Sequence, residues 1–167
     1  MAEELGKGLS IDADRKLKAD IQEKILEKLK IELPNEFLKR WIIASNEKPI
    51  SKEQVESEYK EYAKSLKWQL VENKIIKAND IKVLPDEVVD YTKGLLAQQM
   101  AGMGMPLNND EELTDTAKRV LQNEEEARNI YMMMYDQKLM ELYKNSLKLK
   151  EKEISYEDFM KLVYAKK

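Results

Sequence analysis

Apolar residues recur along this chain at the spacing of a helix face, and in two stretches they follow the same plan. The first stretch carries Ile21, Ile25, Leu26, Ile31, Leu33-Pro34, Glu36 and Leu38. The second carries Val71, Ile75, Ile76, Ile81, Leu84-Pro85, Glu87 and Val89, with one residue inserted. Each reads as an amphipathic helix, a short extended link and a second helix. Proline drives the residue before it out of helical conformation and itself suits the first turn of the next helix. Ile11, Leu17, Ile21, Ile25, Leu26 and Leu29 predict a helix over 10–31, and Phe37, Leu38, Trp41 and Ile42 predict a short one ending near Asn46. Ser51 and Gln54 have the form of a capping box. They open a helix to about Ala78 striped by Val55, Tyr59, Tyr62, Leu66 and Leu70. At 1.5 Å per residue that element extends roughly 40 Å, which favours an extended shape.

After Leu84-Pro85 a helix bearing Val88, Val89, Tyr91, Leu95 and Leu96 runs into Gln98-Gln99-Met100-Ala101-Gly102-Met103-Gly104-Met105-Pro106. Alternating glycine and methionine before a proline predicts a mobile apolar tip in place of rigid helix. Asp110, Glu111, Glu112 and Asp115 then suit a first helical turn, where the macrodipole favours negative charge. Helix is expected from about Asn109 to Leu149, with a break near Asn123. Within it the run from Ile130 to Tyr135 is apolar throughout and covers every face of a helix, so part of it cannot enter one core. Ser155 with Asp158 caps a last short helix bearing Phe159, Met160, Leu162 and Val163. The fold class is therefore all-α, an elongated array of long helical hairpins. It is expected as one domain with parts at about 1–48, 50–107 and 108–167. Trp41 and Trp68 are expected to pack and anchor the first two hairpins.

Composition narrows the chemistry. The chain is 37% charged and 43% hydrophobic, the mix of long surface-rich helices, and it contains no His and no Cys. That removes Ser-His and Cys-His nucleophile pairs, imidazole acid-base catalysis and ordinary zinc sites, and makes a disulfide scaffold impossible. No glycine pattern cradles phosphate, so ATP dependence is not expected. Glu111-Glu112 and Glu124-Glu125-Glu126 point in different directions on a helix and read as solvated faces. No catalytic, metal or cofactor residue is assigned. Net charge is −3, and Arg15, Arg40, Arg119 and Arg128 are the only arginines, which argues against nucleic acid. The acidic start and the lack of a long apolar run predict neither signal peptide nor membrane span, hence a cytoplasmic protein. The same start also fits a piece cut from a longer chain.

The stretch Val71-Glu72-Asn73-Lys74-Ile75-Ile76-Lys77-Ala78-Asn79-Asp80-Ile81, followed by Val83-Leu84-Pro85, resembles part of the trigger factor C-terminal domain. The likeness in element order continues through the Leu33-Pro34 corner, the Gln/Met-rich tip and the closing Glu151-Lys152-Glu153-Ile154-Ser155-Tyr156-Glu157 region. It takes in nearly the whole chain. The resemblance implies an ATP-independent chaperone body with arms that cradle nascent chains, a fold shared with SurA-like periplasmic chaperones. It further implies that prolyl isomerase activity and ribosome docking belong to other domains of the parent, whose signatures this sequence does not carry.

A chaperone of this kind holds unrelated apolar segments weakly. Methionine suits that task, being unbranched and polarizable, while tyrosine and leucine add area. Two clusters are the expected contacts with unfolded or nascent polypeptides. One is the tip, with Met100, Met103, Met105 and Leu107. The other is the long C-terminal helix, with Tyr131, Met132, Met133, Met134, Tyr135, Met140 and Tyr143. Self-association through an empty apolar surface is a further expected contact. The competing reading is a helical assembly module that mates permanently with one dedicated partner.

Overall fold

Local start and stop signals are used largely as the sequence writes them. The computed structural model describes residues 2–46, 50–104 and 109–164, and among these are seven α-helices and no strand. They are α1 (Ala2–Lys28), α2 (Asn35–Ser45), α3 (Lys52–Ala78), α4 (Pro85–Gly102), α5 (Asp110–Leu121), α6 (Glu124–Ser146) and α7 (Tyr156–Tyr164). Ser51 accepts the Gln54 N–H on its hydroxyl at 3.2 Å and donates its own N–H to the Gln54 side chain at 3.1 Å, a complete capping box. Asn109 Oδ1 accepts the Glu112 N–H at 2.8 Å, and Asn123 Oδ1 accepts those of Glu125 and Glu126 at 3.0 and 3.3 Å. The acidic runs thus occupy the first turns of α5 and α6, where exposed N–H groups favour negative charge. Ser155 caps α7 in the same way, accepting the Asp158 N–H at 3.2 Å.

The two Leu-Pro corners differ by one residue in helix register. Leu38 N–H bonds to the Pro34 carbonyl at 3.0 Å, whereas Val88 N–H bonds to the Leu84 carbonyl at 3.1 Å. Pro34 therefore stands just before the first turn of α2, and Pro85 is the first residue of α4. α1 and α6 end slightly early, at Lys28 and Ser146, and two other boundaries depart further from expectation. α1 starts well before residue 10, because Gly6 and Gly8 lower helix propensity by about 1 kcal/mol each without blocking the backbone bonds. α4 continues through Met100 to Gly102. The glycines there end a helix and do not prevent one: Gly104 takes φ +68° and donates its N–H to the Ala101 carbonyl at 3.1 Å. Met105, Pro106 and Leu107 of the expected tip lie outside the described residues.

The chain divides into two compact units, Met1–Lys77 with Glu151–Lys167, and Ala78–Lys150. In the first, Ile21, Val55, Tyr59, Trp68 and Val71 are buried. Long side chains join its helices: Tyr59 donates its hydroxyl to Asn35 Oδ1 at 2.7 Å, Lys39 meets Glu56 at 2.7 Å and Lys18 meets Glu72 at 3.9 Å. α7 lies against α1, and Tyr164 donates its hydroxyl to Asp12 at 2.9 Å.

In the second unit α4 packs against both α5 and α6. Val83, Val88, Ile130 and Met134 form its buried cluster, with Tyr91, Val120, Leu121, Tyr131 and Tyr135 packed around it. Each of the four contributes about 1.5–3 kcal/mol by leaving water, before entropy is subtracted. One polar buckle fastens the start of α4 to α6. Lys138 Nζ donates to the Lys82 carbonyl at 2.6 Å and to the Glu87 carboxylate at 2.8 and 3.0 Å, and Glu87 also accepts the Leu84 N–H at 2.9 Å. That N–H, followed by Lys138, holds the Glu87 carboxyl below the usual range. A lowered native pKa stabilises the fold above the unfolded carboxylate pKa of about 4.3, and the contribution disappears as pH falls through the native value. Urea unfolding should therefore lose stability as pH is lowered from above 5 into the acid range, and Glu87→Gln should flatten the part of that slope due to this group.

Candidate functional site

Helix geometry separates the residues of the apolar run on α6. Ile130 and Met134, one turn apart, are 5% and 7% exposed and join the buried cluster. Met132 and Met133 are 59% and 52% exposed. Tyr131 and Tyr135 lie on the flanks, half-buried against the cluster. Met134 is thus core and not client-facing, and Tyr143 is corrected in the same way, since it is 4% exposed. Both fall on the buried side because a helix that packs must turn one stripe inward whatever its outer face carries. Met140 is half-buried. On α4, Met100 is half-buried, and Met103, which follows the helix, is 62% exposed. Met105 and Leu107 lie outside the described residues.

Met132 and Met133 border a groove of about 530 Å³. α4 supplies Thr92, Leu95, Leu96 and Gln99; α5 supplies Val120; α6 supplies Glu126, Asn129, Ile130, Met132, Met133 and Asp136. The stripe of α4 that begins in the core at Val88 continues beyond it as Leu95 and Leu96, and there it forms a wall in place of a packed layer. Thr92, itself buried, spends its hydroxyl on the Val88 carbonyl at 2.7 Å. What the groove offers is apolar area edged by the carboxylates of Glu126 and Asp136 and the amides of Gln99 and Asn129. Its size admits a few side chains. Leu95 and Leu96 were readable as part of a helix stripe, but nothing in their local spacing shows that the stripe outruns its partner.

A second apolar concavity lies in the first unit. Trp41, expected to pack, is 51% exposed, as is Phe37 one turn earlier at 55%. Leu38 and Ile42 form the more covered side of α2, so the aromatic pair is left outward. Trp41, Ile42, Ile50, Val55, Tyr59 and Tyr62 line a cleft of about 400 Å³. The available signal was the four-residue spacing of Phe37 and Trp41 beside an already sufficient Leu38/Ile42 stripe. Trp68, in contrast, is buried as expected, at 6% exposure. Lys39 sits 5.1 Å above the Tyr59 ring, and Tyr62 lies 6.3 Å from it centre to centre. Burial pushes the Tyr59 phenol up, and the hydrogen bond to Glu56 raises Lys39, so both groups keep their protons well above neutral pH.

Among the described residues no group of three or more acidic side chains is placed to hold a metal ion, and no helix is long and apolar enough to cross a membrane. Neither a curated protein nor a solved structure matches the chain at a significant level. Residues 13–163, most of the 167-residue chain, match the family described as "Probable trigger factor, C-terminal domain". With its all-α helical plan and twice-used Leu-Pro corner, the chain belongs to the trigger factor C-terminal domain family.

Proposed function

We propose that this chain is an ATP-independent chaperone domain that holds unfolded or nascent polypeptides in the cytoplasm, without enzymatic turnover of its own. The observation that carries the reading is the groove between α4 and α6, edged by Met132 and Met133, with more than half of each methionine left exposed. Membership of the family suggests a chaperone-like role that acts on polypeptides. The physical fit is specific. Methionine reshapes itself around different apolar partners, and an open groove lets a client leave without an energy source. Met103, beyond the end of α4, and the Trp41 cleft supply further apolar area in their own units. Several shallow contacts of this kind give useful yet reversible binding when one client occupies more than one.

Aggregation of three chemically unrelated unfolded proteins, followed by light scattering, tests this. The expected result is a delay for all three that grows with the amount of chain added. Protection of none, together with a single stoichiometric complex with one partner, would establish the assembly-module reading instead.

A further inference from the structure

The run Met132-Met133-Met134 contains its own control for chemical accessibility. Two of these sulfur-bearing side chains are 59% and 52% exposed at the groove, and the third, next in sequence, is 7% exposed in the core. Thioether oxidation by a peroxide needs direct approach of the oxidant to sulfur, so exposure decides which methionine reacts. The same two residues supply the adaptable apolar edge of the groove. We propose that Met132 and Met133 are modification sites, oxidised to methionine sulfoxide by a hydroperoxide, and that this oxidation closes the groove to apolar clients. The inference rests on the client-holding reading.

The step balances without help from the protein. The sulfur lone pair attacks the distal peroxide oxygen, the O–O bond breaks, an S–O bond forms and, after proton transfer, water leaves when the oxidant is hydrogen peroxide. Sulfur loses two electrons and the peroxide gains them. The product carries a strong S–O dipole whose oxygen requires a hydrogen-bond donor. Glu126 and Asp136, when ionised, only accept hydrogen bonds. The Gln99 and Asn129 amides are the donors among the lining side chains apart from the committed Thr92 hydroxyl. Otherwise the oxygen is served by water, and an apolar client would have to strip that water away. The core is spared because Met134 is enclosed with Val83, Val88 and Ile130, so the fold survives a change that removes the surface property.

The test treats the full chain with hydrogen peroxide, quenches samples with catalase, and reads three quantities. Mass spectrometry of peptides measures oxygen gain at each methionine, circular dichroism measures helicity, and binding of the uncharged apolar dye Nile red and of an unfolded client measures the groove. Met132 and Met133 should gain oxygen several-fold faster than Met134. Dye and client affinity should then fall about tenfold, the loss expected when roughly two methylene equivalents of burial are cancelled, with helicity retained. Methionine sulfoxide reductases should restore it. Met132→Leu/Met133→Leu, compared with its own untreated sample, should lose much less on oxidation. Equal oxidation of Met134, or unchanged dye and client binding once Met132 and Met133 are oxidised and Met134 is not, overturns the inference. If the untreated chain holds no client, the chaperone reading fails separately, while oxidation order and dye binding still decide the chemistry.

Discussion

Replacing Met132 and Met133 together by serine should weaken the holding of apolar clients by between about tenfold and a hundredfold. Burying a whole methionine side chain is worth about 1.5–3 kcal/mol, and slightly more than half of each remains exposed for a client to cover. The pair therefore supplies about 2–3 kcal/mol at most, at about 1.4 kcal/mol per tenfold in affinity. Stability should move by no more than about 1 kcal/mol, since serine costs the helix a few tenths per position and no buried contact is lost. Client affinity by fluorescence anisotropy, beside helicity and a urea midpoint, separates these effects. Unchanged affinity would remove the groove from the client-binding surface, while equal loss of affinity and helicity would assign both methionines to packing.

The opposite outcome is expected one residue further on. Met134→Ala should destabilise the chain by about 2–5 kcal/mol, the range for emptying a core site that cannot collapse onto the gap. Met133→Ala should cost under about 0.5 kcal/mol, as an exposed substitution into a good helix former. Met134 is enclosed with Val83, Val88 and Ile130 and Met133 borders open space, so chemically identical deletions differ only in whether neighbours surround them. Equilibrium urea unfolding of the two variants measures the difference. Matching midpoints would place the two side chains in equivalent surroundings and contradict the division of α6 into inner and outer faces.

That division marks where local information stops. The capping residues Ser51 and Ser155 could be read directly, and Asn123 as a helix break, because a cap is satisfied within a few residues of itself and its chemistry is independent of distant packing. The Leu-Pro corners could be read for the same reason. The glycines near Met100 misled, since Gly102 and Gly104 can equally break a helix or finish one, and only the backbone bonds from Met103 and Gly104 to the preceding turn distinguish the two. Trp41 misled because an apolar stripe on a short helix states that something is to be covered, without stating how much of the stripe the neighbour reaches.

By itself, then, the sequence determined which segments are helical, where most of them start, that no histidine or cysteine chemistry is present, and that α6 carries more apolar surface than one core can use. Only the tertiary structure decided which members of that surplus go inside: Ile130 and Met134 enter, Met132 and Met133 stay out, and Leu95 and Leu96 extend past the core as a groove wall. The reason is physical. Helix formation follows bonds and caps within about four residues, whereas burial depends on the angle and overlap of helices distant in sequence, which no local spacing records.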